Sequence, residues 1–274
     1  MLILIGALIG LVLGLTGAGG SVFAVPLLIL LAGLPMSSAV GLSLGAVAAS
    51  SFYGSLRIAF GKNGVQKILW LPGVLLAGTG ALTAPLGKFI GMHVPETWLL
   101  AGFSLLAAAI ATRMWLAASR HPDTATIVRA SNYSNVPVAG LVCNLSTNGQ
   151  FQLRPRCIGG LFIGGAAVGV LSGLFGVGGG FLIVPLLLFL SPINIVQAVA
   201  TSLPIIAVVS SAGFFSHFAT SNDWKQLGLA AGGGVLGMMI GQTLSQRIAN
   251  ARLQKIFAVC LLLISSVTLV RNFL

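Results

Sequence analysis

Apolar positions fall into long blocks separated by short polar connectors. Residues 2–33 are apolar throughout but interrupted by Gly17-Ala18-Gly19-Gly20, and three unbroken spans follow at 36–59, 68–90 and 96–119. A polar, poorly periodic connector occupies 120–156. The pattern restarts with 157–190, broken by Gly178-Gly179-Gly180, and continues with spans near 194–218, 224–246 and 251–272. Each unbroken span has about the 20 residues that a bilayer core requires at a rise of 1.5 Å per residue. The arms beside the glycine breaks are mostly shorter, so their ends are expected inside the membrane. The blocks predict an all-α polytopic membrane protein in three parts: a first repeat over 1–119, a connector over 120–156 and a second repeat over 157–274.

The word "repeat" rests on register. A shift of 159 positions lays Gly14-Leu15-Thr16-Gly17-Ala18-Gly19-Gly20 on Gly173-Leu174-Phe175-Gly176-Val177-Gly178-Gly179. It continues without a gap to Val25-Pro26-Leu27-Leu28 on Val184-Pro185-Leu186-Leu187. From Gly14 to Leu31, 10 of 18 positions are identical. The same shift pairs Gly6, Gly10 and Gly14 with Gly165, Gly169 and Gly173, and Ser43-Leu44 with Ser202-Leu203. Paired prolines in register mark an internal duplication, which low-complexity glycine and leucine do not imitate.

Composition fixes the solvent. Of 274 residues, 57% are apolar and 6% charged, with a mean hydropathy of +1.05; a soluble domain carries about a quarter charged residues. A lipid bilayer is therefore the expected partner, and a cytosolic enzyme or a nucleic-acid-binding module is excluded. The net charge of +11 does not restore DNA, because its basic residues form no patch or stripe. Cys143, Cys157 and Cys260 are odd in number and widely spaced, so neither a disulfide framework nor a thiolate metal site is expected. Met1 to Leu13 lack a cationic leader region and read as part of the mature fold.

The few charges are sorted. Arg57, Lys62 and Lys67 follow the first full span, Arg113, Arg120, Arg129, Arg154 and Arg156 flank the central connector, and Arg247, Arg252 and Lys255 precede the last span. Only Lys88, Lys225 and Arg271 remain for the other side. Connectors facing the cytoplasm carry the Lys and Arg excess. All three basic connectors share a face if each glycine-broken segment enters and leaves on the same side. Each half then crosses three times net, the second copy is inverted, and both termini face away from the cytoplasm of a bacterial-type inner membrane. Inverted repeats joined at a midplane axis are a design of secondary transporters.

The glycine breaks are the candidate site. Irregular backbone at membrane depth is tolerated only against protein or a watery cavity. Helices resuming near Ser21 and Phe181 would point N-terminal N–H groups and positive dipole ends inward, where two such ends bind a small anion. The expected substrate-binding residues are Thr16, Gly17, Gly19, Gly20, Ser21, Ser43, Gly176, Gly178, Gly179, Gly180, Thr201 and Ser202, with Pro26 and Pro185 as structural hinges. The hydroxyls would donate to an oxyanion without burying a charge; their alternative is a bond to the carbonyl one turn back. The spaced glycines Gly6, Gly10, Gly14, Gly165, Gly169 and Gly173 read as close-packing surfaces instead.

Ionisable groups narrow the mechanism. Glu96, Asp123 and Asp223 sit at span ends or in connectors, so no buried carboxylate relay is expected. Arg57, Lys88 and Arg113 lie near span ends and are placed to snorkel, with Arg57 a candidate anion guide and His217 an interfacial histidine. Tyr53, Asn63 and Gln242 are weaker polar candidates. Gly41-Leu42-Ser43-Leu44-Gly45 matches a nucleophile elbow, but without strand context or partners it is chance. The sequon-like Asn144-Leu145-Ser146 is discounted because its connector reads as cytoplasmic. No cofactor or metal is expected; a coupling ion, H⁺ or Na⁺, is left open.

Glycine-rich GLTGAGGSVFAVPLL (14–28) and GLFGVGGGFLIVPLL (173–187), each followed by A-V-x-x-S-L (39–44 and 198–203), resemble the paired signature of the TauE/SafE sulfite exporter family. The resemblance spans nearly the whole chain. It implies a multi-span permease for a small sulfur-containing or organic anion, and a substrate region at Gly17, Gly19, Gly20 and Pro26 with Gly176, Gly178, Gly179 and Pro185. Ser21 stands where the second copy has Gly180, a departure from strict symmetry. The expected function is a secondary transporter of a small anion, working by alternating access. A passive anion channel is the nearer alternative, and an intramembrane hydrolase lacks a convincing Ser–His or Ser–Lys pair.

Overall fold

The computed structural model describes residues 1–17, 19–61, 68–120, 143–145, 151–152, 155–191, 193, 195–218, 224–248, 259–260 and 263. Ala18, Lys62, Asn63, Lys67, Asp123, Arg129, Ser146, Arg154, Asp223, Arg252, Lys255 and Arg271 lie outside these residues, with most of the connector and of the last expected span.

Helix α1 runs Leu2–Thr16, a 3-10 turn Gly19–Phe23, α2 Ala24–Ala32, α3 Met36–Ala59, α4 Trp70–His93 and α5 Glu96–Arg120. The second half contains α6 Pro155–Phe175, α7 Gly180–Leu190, α8 Ile195–Phe218 and α9 Trp224–Ile248. Among the described residues five helices are long and apolar enough to cross a membrane: α3, α4, α6 and the larger parts of α8 and α9. The fold is an all-helical membrane protein. Large apolar side chains such as Phe52, Leu82, Leu105, Ile163, Phe189 and Phe215 point outward, as suits a chain whose solvent is lipid. Trp70 and Trp98, at the starts of α4 and α5, stand exposed where aromatic anchors favour the interface.

Local sequence explains the boundaries. Left-handed Gly33 closes α2 with its N–H on Ile29 O, and extended Pro35 caps α3. Glu96 then supplies a carboxylate to the positive end of α3, accepting from Met36 N–H at 2.9 Å.

Glycines set which helices meet. On α1, a Cβ at Gly6 would fall 2.2 Å from Ala230 O, and one at Gly10 would fall 1.9 Å from Gly234 O. With Leu11 O beside Gly241, these pairs make α1 and α9 parallel at backbone contact. Gly165, Gly169 and Gly173 of α6 meet Leu76, Gly80 and Ala84 of α4 in the same way. Each half thus lends its first helix to the other half's fourth helix. The spaced glycines are packing surfaces, as their four-residue rhythm implies.

Directions follow. Gly45 lies beside Leu227, and Gly54 beside Met238 and Gln242, so α3 also runs with α9. Leu69 N–H on Thr201, Gly80 beside Val209, and Lys88 on Ser216 O make α8 run with α4. Gly54 against Leu203 and Gly45 against Phe214 make α3 and α8 antiparallel. Helices α1, α3 and α9 therefore point one way and α4, α6 and α8 the other. Because α1 and α3 are parallel, α2 must carry the chain back between them, and α7 does the same between α6 and α8. Each glycine-broken segment returns to the end at which it began.

One expectation needs correction. Cys143 and Cys157 are disulfide-bonded, with Cα atoms 4.9 Å apart, although the odd and scattered cysteines pointed to no framework. The physical reason is a fold-back that spacing does not show: Cys143 N–H donates to Leu190 O at the end of α7, while Cys157 opens α6. The connector also contributes a two-residue antiparallel pairing, β1 (Asn144–Leu145) with β2 (Phe151–Gln152), to an otherwise helical chain.

Candidate functional site

The second glycine turn is built around left-handed backbone. Gly176, Gly178 and Gly179 have φ of 68°, 66° and 69°, a region that costs other residues about 1–2 kcal/mol. These angles reverse the chain within four residues and open α7 at Gly180. Space forbids side chains as well: a Cβ on Gly176 would lie 2.7 Å from Val40 Cα, and one on Gly178 2.7 Å from Ser210 Oγ. Ser43 completes the turn by donating to Gly176 O at 2.7 Å, fully buried.

The first turn is made differently. Gly17 is left-handed (φ 77°) and its N–H closes α1 on Leu13 O. Gly19 and Gly20 then enter the 3-10 turn with Ser21, folding so tightly on α1 that a Cβ at Gly20 would meet Leu13 N at 2.4 Å. Regular α-helix resumes only at Ala24, three residues later than expected, whereas the second copy resumes at Gly180, one residue early. Pro26 is buried in the first turn of α2, while its equivalent Pro185 is exposed inside α7.

The hydroxyls divide. Thr16 donates to Val12 O at 2.8 Å and Ser202 to Val199 O at 2.9 Å, both local helix bonds. Thr201 accepts from Leu69 N–H at 3.1 Å, tying the starts of α4 and α8. Ser21 is buried within the 3-10 turn. Ser43, by contrast with Thr16 and Ser202, bonds across to a glycine turn. Its position inside α3 also removes the strand context that a nucleophile elbow needs. Sequence reasoning missed Ser51, Ser172 and Ser210, which are buried without a hydrogen-bond partner for Oγ. The signal was present: Ser51 and Ser210 are equivalents under the 159-residue shift.

Cations flank this centre at opposite ends. Half-buried Arg57, near the end of α3, donates to Met239 O and Gln242 Oε1, each at 3.5 Å. Lys88, late in α4, donates to Ser216 O, and His217 Nε2 lies 3.1 Å from Gly173 O. A carbonyl only accepts, so that ring nitrogen carries the proton. Lys88, His217 and Glu96 line a cavity of about 550 Å³ that reaches Val40 and Gly173, neighbours of the second turn. Among the described residues no cluster of His, Cys, Asp or Glu is arranged to hold a metal.

A family model described as "Sulfite exporter TauE/SafE" matches residues 2–268. The chain belongs to the TauE/SafE family. Among similar chains, a "Probable membrane transporter protein" of Xylella fastidiosa (strain 9a5c) is 29% identical over 278 residues, covering 98% of this chain and 94% of the relative. "Probable membrane transporter protein YdhB" of Bacillus subtilis (strain 168) is 27% identical over 218 residues, covering 78% and 76%. A similarly described protein of Methanocaldococcus jannaschii is 26% identical over 231 residues, covering 81% and 73%. No solved structure matches. TauE/SafE membership and the apolar helices together make this an integral membrane protein of a transporter family.

Proposed function

We propose that this TauE/SafE protein is a secondary transporter that exports a small oxyanion, sulfite or a related organosulfur or organic anion, by alternating access. The observation that carries the reading is the pair of glycine turns brought against the antiparallel α3 and α8, each turn opening a helix toward the interior. Helix N-termini offer N–H donors and a partial positive charge. Halves whose equivalent helices run in opposite directions support a membrane-inverted repeat, and one such half rocking against the other exposes a midplane site to alternate sides.

The energetics favour export. An inside-negative potential drives a singly charged anion outward by about 2.3 kcal/mol per 100 mV. Export then needs no coupling ion, whereas uptake requires H⁺ or Na⁺. The basic connectors leave from the common end of α3, α5 and α9, which the positive-inside rule makes cytoplasmic in a bacterial-type inner membrane. The disulfide points the other way, because such bonds persist in oxidising compartments. Eleven sorted charges carry more weight than one cysteine pair and support the reading that both termini face outside.

Proteoliposomes holding the purified protein test the function directly. Saturable, counter-flow-sensitive flux of sulfite, thiosulfate or a short sulfonate is expected, non-saturating flux would make the protein a channel, and no flux of any anion would sink the proposal. For orientation, a periplasm-active reporter fused after Leu274 should be active; an inactive fusion reverses the topology.

A further inference from the structure

We propose that Ser51 and Ser210, joined by Ser172 on the second side, are the hydroxyl donors that hold the transported oxyanion. This rests on the transport reading above and names the side chains that recognise the substrate.

All three are wholly buried and their Oγ atoms have no hydrogen-bond partner. A serine in a membrane helix ordinarily returns its proton to the carbonyl one turn back. Their immediate neighbours do so: Ser50 donates to Ala46 O at 2.5 Å and Ser211 to Ala207 O at 2.7 Å. The same solution is open to Ser51 and Ser210 on the same helices, yet neither uses it. An unmade hydrogen bond at a fully buried hydroxyl is costly, so two at equivalent positions call for a reason.

Position supplies one. Gly45 against Phe214 and Gly54 against Leu203 bracket the antiparallel contact of α3 and α8. Ser51 and Ser210 both lie inside that bracket, each about two-thirds of the way along its helix, Met36–Ala59 and Ile195–Phe218. Ser210 Oγ sits 2.7 Å from where Gly178 would carry a Cβ, so the hydroxyl occupies the space that the glycine leaves. Ser172 approaches from α6, its Cβ 3.8 Å from the corresponding point on Gly179. Directly beyond, α7 begins at Gly180 and runs for 11 residues, with N–H groups in its first turn that the helix itself does not use.

Every feature here donates. Hydroxyls from α3, α6 and α8 and the N-terminus of α7 suit a ligand that accepts through several oxygens, which describes a small oxyanion such as sulfite. Holding it with neutral donors keeps affinity modest, as a carrier that must release its cargo requires. The full burial of the three hydroxyls limits the ligand to a small one. It also means that α3 and α8 must part for the ligand to enter.

Sulfite and thiosulfate flux by reconstituted S51A, S210A and the double variant tests the assignment, with S211A as control because Ser211 bonds only within its helix. Each single variant should raise KM about tenfold or more, the worth of a hydrogen bond to a charged group. Thermal stability should hold or rise, because the change removes an unpaired buried hydroxyl, and S211A should stay within about twofold of wild type. Wild-type KM in S51A and S210A, beside an active wild type, overturns the assignment and leaves the transport reading standing. A wild type that moves neither anion overturns both. If S210A does not fold, S51A alone decides.

Discussion

The two glycine turns share a signature and differ in construction. The second reverses through three left-handed glycines and launches α7 at once, with Ser43 reaching across from α3 to hold Gly176 O. The first folds down on α1, passes through a 3-10 turn and delays α2 until Ala24, while Ser202, the equivalent of Ser43, bonds within its own helix. Related sequence in two copies, identical at 10 of 18 positions, therefore yields one turn held by Ser43 of the opposite half and one folded down on its own arm. Under the proposed alternating access, in which the two halves exchange conformations, such inequality is what a single state of the cycle would look like. The opposite state should carry the exchanged bond, Ser202 to Gly17 O.

The comparison breaks most sharply at the glycines themselves. Gly176→Ala adds left-handed strain and drives a Cβ toward the Val40 backbone at 2.7 Å, whereas a Cβ on Gly17 meets the Val199 side chain at 2.4 Å. Backbone cannot step aside and a side chain can. The expected cost is about 2–4 kcal/mol for G176A, the sum of strain and overpacking, and about 1–2 kcal/mol for G17A. Denaturation in detergent beside anion flux measures both, and G176A should lose flux at least about tenfold more than G17A. Equal losses would mean that the two turns are built alike.

Next in size are the hydroxyl equivalents. Ser43→Ala leaves the buried Gly176 carbonyl without its donor and should cost about 1–3 kcal/mol, while Ser202→Ala removes a local bond and should cost under about 0.5 kcal/mol. The same unfolding assay reads both. A protein trapped in the opposite state should reverse the order, and an order indifferent to state would end the exchange argument.

Sequence carried the frame of this fold and half of its centre. Helix α3 falls on 36–59 as its apolar run predicts, because Pro35 and Gly61 bound it on both sides. The doubled glycines located the turns, and Ser43 was among the residues singled out. What stayed hidden depends on neighbours. A serine on a helix has the same spacing whether it bonds one turn back, as Ser202 does, or leaves its hydroxyl unpaired, as Ser210 does; packing against another helix selects the rotamer. Glycine rhythm announced close contact without naming the partner, so the exchange of α1 onto α9 and α6 onto α4 was not legible. The Cys143–Cys157 bond was hidden for the same reason, since it depends on the connector reaching the end of α7.

The smallest expected effect separates the two ends of the proposed path. Lys88 lines the cavity that leads toward the second turn, whereas Arg57 lies at the far end of α3 with two long 3.5 Å contacts to α9. Both are cations near the proposed anion route, and of the two Lys88 shares a cavity wall with residues that touch a turn. A charge in a concave, low-dielectric wall raises the local concentration of an oppositely charged solute, and salt weakens that effect. Lys88→Gln should therefore slow sulfite flux about threefold to tenfold when the anion is supplied from the cavity side, with the deficit shrinking as salt rises. Arg57→Gln should change flux by less than about threefold from either side, because half-exposed charges with long hydrogen bonds contribute little. If R57Q proves the more damaging from both sides, the anion meets its guiding charge at the opposite end, and the cavity lined by Lys88 and His217 is not the way in or out.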